Sequence, residues 1–324
     1  MNYLRLCEII LLYCRLEKQD RQGGKLAITD LYHAIEAACF ALSPILKPVV
    51  EKQSSAFGLT TQEMVLLCVA PIFEPECVSA SLLNRRSPYT SPDLYRKALE
   101  NLANGGMLSS RDGVGFRVTE QGLETIRKLN QSLQKTLAGI QPLPITRMMD
   151  LASRLKDLAD AYLETPEPPG NWCIKHARRL DPGRKAPMMA RVNQFLEELI
   201  AFRDDAHLAA WQGYEENGHA REVLTYLWVE KQAVLGIIHQ SLSYRGFSLE
   251  DTLSAASELI RKGWVSREGD LLRITPFGRE IRRTVEATTD RYYFTPLICF
   301  STSDLEQTEE LIKEFRKGMP IMDI

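Results

Sequence analysis

A mainly α-helical fold with two small β-hairpins, built as two tandem copies of one unit, is what this sequence predicts. Three observations carry the prediction. Apolar residues recur at helical spacing along most of the chain. The stretch GMLSSRDGVGFRVTEQG (106–122) returns in altered form as GWVSREGDLLRITPFG (263–278). The helix-start serines Ser91 and Ser248 are 157 positions apart, as are Gly106 and Gly263, whereas Thr119 and Thr275 are 156 apart. Caps, stop glycines and Thr-x-x-Gly steps thus repeat in register, with one residue lost between the strands. That pattern predicts an internal duplication.

The elements follow in order. The first segment, MNYLRLCEIILLYCRLEKQD, reads as an amphipathic helix over 1–25. Glu8 interrupts its apolar run and no small-residue cleavage site follows, which argues against a signal peptide. Leu31, Ile35 and Leu42 keep helical spacing until Pro44 and Pro48, which are expected to bend or end that helix. Thr60 and Glu63 form a capping box ahead of the apolar run MVLLCVAPIF. Ser91-Pro92-Asp93 starts a helix with Leu94, Ala98, Leu99 and Leu102 inward, which stops at Gly105-Gly106. Met107 to Val118 reads as two strands around Asp112-Gly113, and Thr119 caps a helix reaching about Leu137.

In the middle, Leu151, Leu155, Leu158 and Tyr162 form a helical stripe, which TPEPPGNW (165–172) ends. A new helix then buries Phe195, Leu196, Leu199 and Ile200. Ser248 caps a helix with Leu253, Ala256, Leu259 and Ile260 inward, which stops at Gly263. The expected division is an N-terminal helix (1–25), a first unit (26–140), a helical and Pro-rich connector (141–190), a second unit (191–300) and a C-terminal helix (301–324).

Composition narrows the function classes. A chain of 324 residues with 44% hydrophobic and 25% charged residues suits a soluble protein of more than one domain. The net charge of −2 gives no global basic field, so a nucleic-acid site must be a local patch. Seven scattered cysteines without a C-x-x-C spacing fit a reducing cytoplasm and argue against a zinc ribbon or disulfide scaffold. Beyond the N-terminus no stretch is expected to reach the roughly 18–20 apolar residues that span a bilayer. No P-loop, dinucleotide-binding glycine motif, nucleophile elbow or H-E-x-x-H occurs, and five histidines form no catalytic grouping, so no enzyme, cofactor or membrane role is expected.

Helix, helix, capped helix, glycine stop, hairpin and Thr-capped helix is the order of a winged helix-turn-helix. The pattern resembles the winged-helix transcriptional regulators of the multiple-antibiotic-resistance (MarR-like) type. In that family the reading helix ends in Leu-x-x-x-Gly plus an apolar pair, matched by Leu102–Leu108 and by Leu259–Val265. Its wing returns into a Thr-x-x-Gly helix start, matched by VTEQG and ITPFG. The resemblance covers roughly residues 59–130 and 219–290. It implies a double-stranded DNA partner, flanking dimerisation helices and a small aromatic effector. With both copies on one chain, it implies a monomeric pseudo-dimer or a homodimer.

Local charge separates the two copies. Residues 85–117 carry six basic against three acidic side chains, and the matching span 242–274 carries five against five. DNA contact is therefore expected from Arg85, Arg86, Ser91, Asp93, Arg96 and Lys97 of the first copy, with Arg111 and Arg117 on its wing. The equivalent face of the second, Glu250, Asp251, Ser254 and Glu258, would repel phosphates. Trp172, His207 and Trp211 are candidates for an aromatic effector pocket. The pairs Asp30/His33 and Asp204/His207 have a spacing that could hold a divalent metal, although partly buried histidines satisfied by their own neighbours are the commoner outcome, and no metal is expected. The alternatives to a DNA-binding regulator are a protein-contacting scaffold and, behind it, a ligand or metal sensor.

Overall fold

The computed structural model describes residues 28–111, 113, 115–214 and 217–320, so the helix expected over 1–25 and Asp112 lie outside the described residues. The first helix, α1 (Ile28–Ala56), runs through Pro44 and Pro48 without a break, against expectation. Each proline removes one hydrogen bond and crowds the preceding turn, at about 3 kcal/mol or more. Both prolines lie away from the buried stripe of Leu31, Ile35, Leu42, Leu46 and Val50. Burial of each such side chain contributes about 1.5–3 kcal/mol, enough to hold the helix together. By length and composition α1 could cross a membrane, which corrects the expectation that no such stretch exists. Its apolar stripe belongs to the protein core.

The first unit follows. Helix α2 (Thr61–Val69) opens with the expected capping box, the Glu63 N–H donating to Thr60 Oγ1 at 3.1 Å and the Thr60 N–H donating to Glu63 Oε2 at 2.8 Å. A 3₁₀ turn (Ala70–Phe73) leads to α3 (Ala80–Arg86), α4 (Pro92–Asn104), the strands β1 (Leu108–Arg111) and β2 (Gly115–Val118), and α5 (Glu120–Ala138). The strands pair antiparallel from Leu108↔Val118 to Arg111↔Gly115, and Val78 adds a single bridge to Phe116. Leu66, Leu67, Phe73, Val78, Leu83, Tyr95, Leu99, Leu102 and Leu108 close a small core of their own.

Helices α6 (Ile145–Leu163), α7 (Trp172–Arg178) and α8 (Met188–Trp211) come next. The stripe of Leu151, Leu155, Leu158 and Tyr162 on α6 is fully buried. The second unit comprises α9 (Gly218–Glu230), β3 (Gln232–Val234), α10 (Leu235–Ser241), α11 (Leu249–Arg261), β4 (Val265–Glu268), β5 (Leu271–Ile274) and α12 (Pro276–Phe294). Helix α13 (Thr302–Lys317) follows it. The sheet order is β3-β5-β4, all antiparallel. Trp211, Leu224, Leu227, Ile238, Leu259, Trp264, Leu272 and Val285 form this unit's core. The chain is thus mainly helical with two small antiparallel sheets. Helices α1, α6, α8 and α13 share one core, with a three-helix-and-hairpin unit inserted in sequence between α1 and α6 and another between α8 and α13.

The repeated Thr-x-x-Gly has the same physical basis in both places. Thr119 Oγ1 donates to the carbonyls of Gly106 (2.7 Å) and Met107 (3.1 Å), and accepts from the Gly122 N–H. Thr275 Oγ1 donates to Gly263 (2.7 Å) and Trp264 (3.1 Å), and accepts from the Gly278 N–H. A Cβ at Gly122 would lie 2.3 Å from the Met107 oxygen, and one at Gly278 would lie 2.1 Å from that of Trp264. Each glycine lets the new helix start directly against the strand before it.

Candidate nucleic-acid interface

The eight residues expected at a DNA surface divide in two. Arg85, Asp93, Arg96, Lys97, Arg111 and Arg117 are exposed, on α3, α4 and the first hairpin. Arg96 lies between Asp93 (3.1 Å) and Glu100 (3.3 Å), pairs within its own helix that are open to solvent. Arg117 Nη2 donates to the Pro75 carbonyl at 3.0 Å, and the Arg85 guanidinium lies 4.9 Å from the Trp172 ring centroid. Lys97 and Arg111 form no ion pair with described residues.

Arg86 and Ser91 are corrections. Arg86 is 6% exposed, one residue on from the exposed Arg85. Its charge is turned inward toward Cys173 and Asp205, where it offsets part of the burial that raises both of their pKa values. Asp205 accepts the N–H groups of Cys173 (2.7 Å) and Ile174 (3.0 Å) at the start of α7. Burial outweighs these contacts and pushes its carboxyl up to about 7. Ser91 is 7% exposed, makes no side-chain cap, and donates its N–H to the Arg245 carbonyl at 2.8 Å. Neither residue is free to meet a duplex. Leu94, expected inward in its own unit, is half-buried against Gly246 of the second unit.

The second unit presents a different surface. Ser248 and Asp251 form a capping box on α11, with the Asp251 N–H donating to Ser248 Oγ at 3.0 Å. The two hydrogen bonds from Ser248 hold the Asp251 carboxyl below the usual carboxylate range. Leu253 was expected inward but is 40% exposed, with Leu249 exposed one turn before it. Thr252 takes the inner position, because its hydroxyl has partners there: it donates to the Ser248 carbonyl (3.0 Å) and lies 3.1 Å from His219 Nε2. Glu250, Ser254 and Ser257 are exposed beside the two leucines. On the hairpin, Arg267 pairs with Asp270 and Arg273 with Glu268, so its positive charge is matched locally.

Trp172 and the pair His207/Trp211 have separate neighbours. Trp172 packs on His176 (4.2 Å between centroids), Phe73 and Arg85. Trp211 is fully buried, and its Nε1–H donates to His207 Nε2 at 3.1 Å, while His207 Nδ1 lies 3.2 Å from Thr289 Oγ1. Burial lowers the His207 pKa to about 3, so the ring is neutral and carries its proton on Nδ1. Burial raises the Glu286 carboxyl, but Arg282, His207 and Arg203 more than offset it and bring it to about 2. Arg203 also holds Asp290 at 2.6 Å, and Arg282 lies over Trp228. With both nitrogens of His207 engaged, neither is offered to a metal. Among the described residues no group of three or more His, Cys, Asp or Glu side chains is placed to hold one.

Reading the sequence overlooked Tyr89, Gly218, Arg245 and Gly246, which join the two units. The one available signal was Gly246, a left-handed residue (φ +74°) two positions before a capping serine.

A model described as a helix-turn-helix family matches residues 184–320. Residues 184–320 carry a helix-turn-helix domain. The match takes in the residues from α8 through α13, and α1 through α7 with the first hairpin lie outside it. No curated protein and no solved structure matches the chain. Such a domain suggests a nucleic-acid partner in general.

Proposed function

We propose that this protein is a cytoplasmic DNA-binding transcriptional regulator made of two winged helix-turn-helix units, MarR-like and related by tandem duplication, that contacts DNA mainly through the first unit. One observation carries the assignment to that unit. Arg85, Arg96, Lys97, Arg111 and Arg117 are all exposed around α3, α4 and the first hairpin, whereas the second reading helix exposes Leu249, Glu250 and Leu253. Phosphates favour the first surface and are repelled by the second. The exposed pairs of Arg96 are easily exchanged for a phosphate. Fluorescence anisotropy on a randomised duplex pool tests the proposal. Wild type should bind with steep salt dependence, and Arg96→Ala/Lys97→Ala should lower the slope of log K against log salt by about 2. Unchanged binding in the double variant removes these residues from the interface.

The exposed apolar pair on α11 favours a second reading for that unit alone. It serves as a protein-contact surface, in a scaffold role that needs no DNA. An effector pocket shared by Trp172, His207 and Trp211 is not retained, because the two tryptophans have no neighbour in common among their ring contacts.

A further inference from the structure

The two helix-turn-helix turns are packed on each other. The Ser91 N–H donates to the Arg245 carbonyl at 2.8 Å. A Cβ at Gly218, the first residue of α9, would lie 2.0 Å from the Pro88 carbonyl oxygen. A Cβ at Gly246 would lie 2.9 Å from the Leu94 side chain. The Tyr89 ring lies 5.8 Å from the Arg245 guanidinium and 6.4 Å from the His207 ring. Arg245 is itself held by Glu222 at 2.8 Å, with both side chains buried. Two glycines at sites where no side chain fits, together with a buried ion pair, mark a shaped contact.

This contact limits how far apart the reading helices begin. Arg245 precedes Ser248, the N-cap of α11, by three residues, which span at most about 11 Å. Across the Ser91 hydrogen bond, the Cα atoms of the two N-caps therefore lie within about 18 Å. Paired helix-turn-helix units read half-sites about 34–36 Å apart, using the N-terminal residues of each reading helix. The separation here is at most about half of that. The first turn of α4 also faces the second unit, through Ser91 and Leu94, which leaves Arg96, Lys97 and the hairpin to meet a duplex.

We infer that one chain occupies a single undivided duplex site and never bridges two half-sites one helical turn apart. The inference rests on the DNA-binding proposal above and departs from the two-half-site arrangement that a pseudo-dimer would use. Native mass spectrometry and anisotropy of the full chain on selected duplexes of about 12 to 30 base pairs test it. The expected result is one chain bound to one short site. Adding a second copy of the site one turn away should admit a second chain and change the affinity of the first by less than about twofold. One chain bound across two half-sites, losing about tenfold or more when either is scrambled, overturns the inference and leaves DNA binding intact. Absence of binding to every duplex at low salt removes the DNA proposal and the inference with it.

The contact itself is read without DNA. With p-benzoylphenylalanine in place of Tyr89, irradiation should link position 89 to a peptide of the same chain that contains His207 or Arg245. A folded protein with no such link overturns the geometry on which the inference stands.

Discussion

His207 shows how a single residue contributes to the pH response of the core. Its ring is neutral in the fold, with a pKa brought by burial to about 3, and His219 is lowered in the same way to about 4. Unfolded histidines take up a proton near pH 6.5, so from there down to about pH 4 these two groups hold more protons in the unfolded state and their contribution to stability falls as pH falls. Each histidine contributes a slope of at most about 1.4 kcal/mol per pH unit. Asp205, at about 7 in the fold, acts in the opposite sense and adds stability as pH falls over the same window, so the histidine effect is read as a difference: in urea titrations between pH 7 and 4 a folded His207→Gln should lose less stability than wild type. An equal loss in the variant assigns the effect elsewhere. Arg85 and Arg86 make a second contrast at this scale. Arg86→Ala should cost on the order of 1–3 kcal/mol, because a buried charge beside Asp205 is removed. Arg85→Ala should leave stability nearly unchanged and weaken duplex binding. The sequence shows two adjacent arginines, and nothing local says which faces inward. The orientation of α3 on its own core and on α7 decides it.

At the scale of the element, the starts of helices were legible and their facing was less so. The capping box at Thr60 and the caps at Ser248, Thr119 and Thr275 all formed, because each needs only residues within one turn. Ser91 carries the same signal, but its side chain makes no cap. Ser248→Ala should therefore cost about 1 kcal/mol in chemical denaturation, and Ser91→Ala clearly less. An equal cost would mean that Ser91 caps α4 in solution. The passage of α1 through Pro44 and Pro48 was not legible, since it depends on core that lies far away in sequence. The outward turn of Leu253 was not legible either. It follows from Thr252 finding His219 as a partner on α9.

For the whole molecule, the recurrence of strands, glycines and threonines was legible in the chain alone, and the structure has a hairpin followed by a Thr-capped helix at both places. The mutual position of the two units was not legible. It depends on Gly218 and Gly246 permitting close approach, and on Tyr89 and Arg245 filling the junction, contacts separated by more than a hundred residues. The divided charge was visible as counts, and the structure adds which side chains carry it: Arg86 of the first span and Arg245 of the second turn inward, while Arg85, Arg96, Lys97, Arg111 and Arg117 stay outside. Hydrogen exchange of the full chain with and without a bound duplex tests the central claim most directly. Protection gained over residues 80–118, with little change over 235–261, is the predicted result. Protection centred on 235–261, or none in either unit under conditions where the duplex is bound, would contradict it.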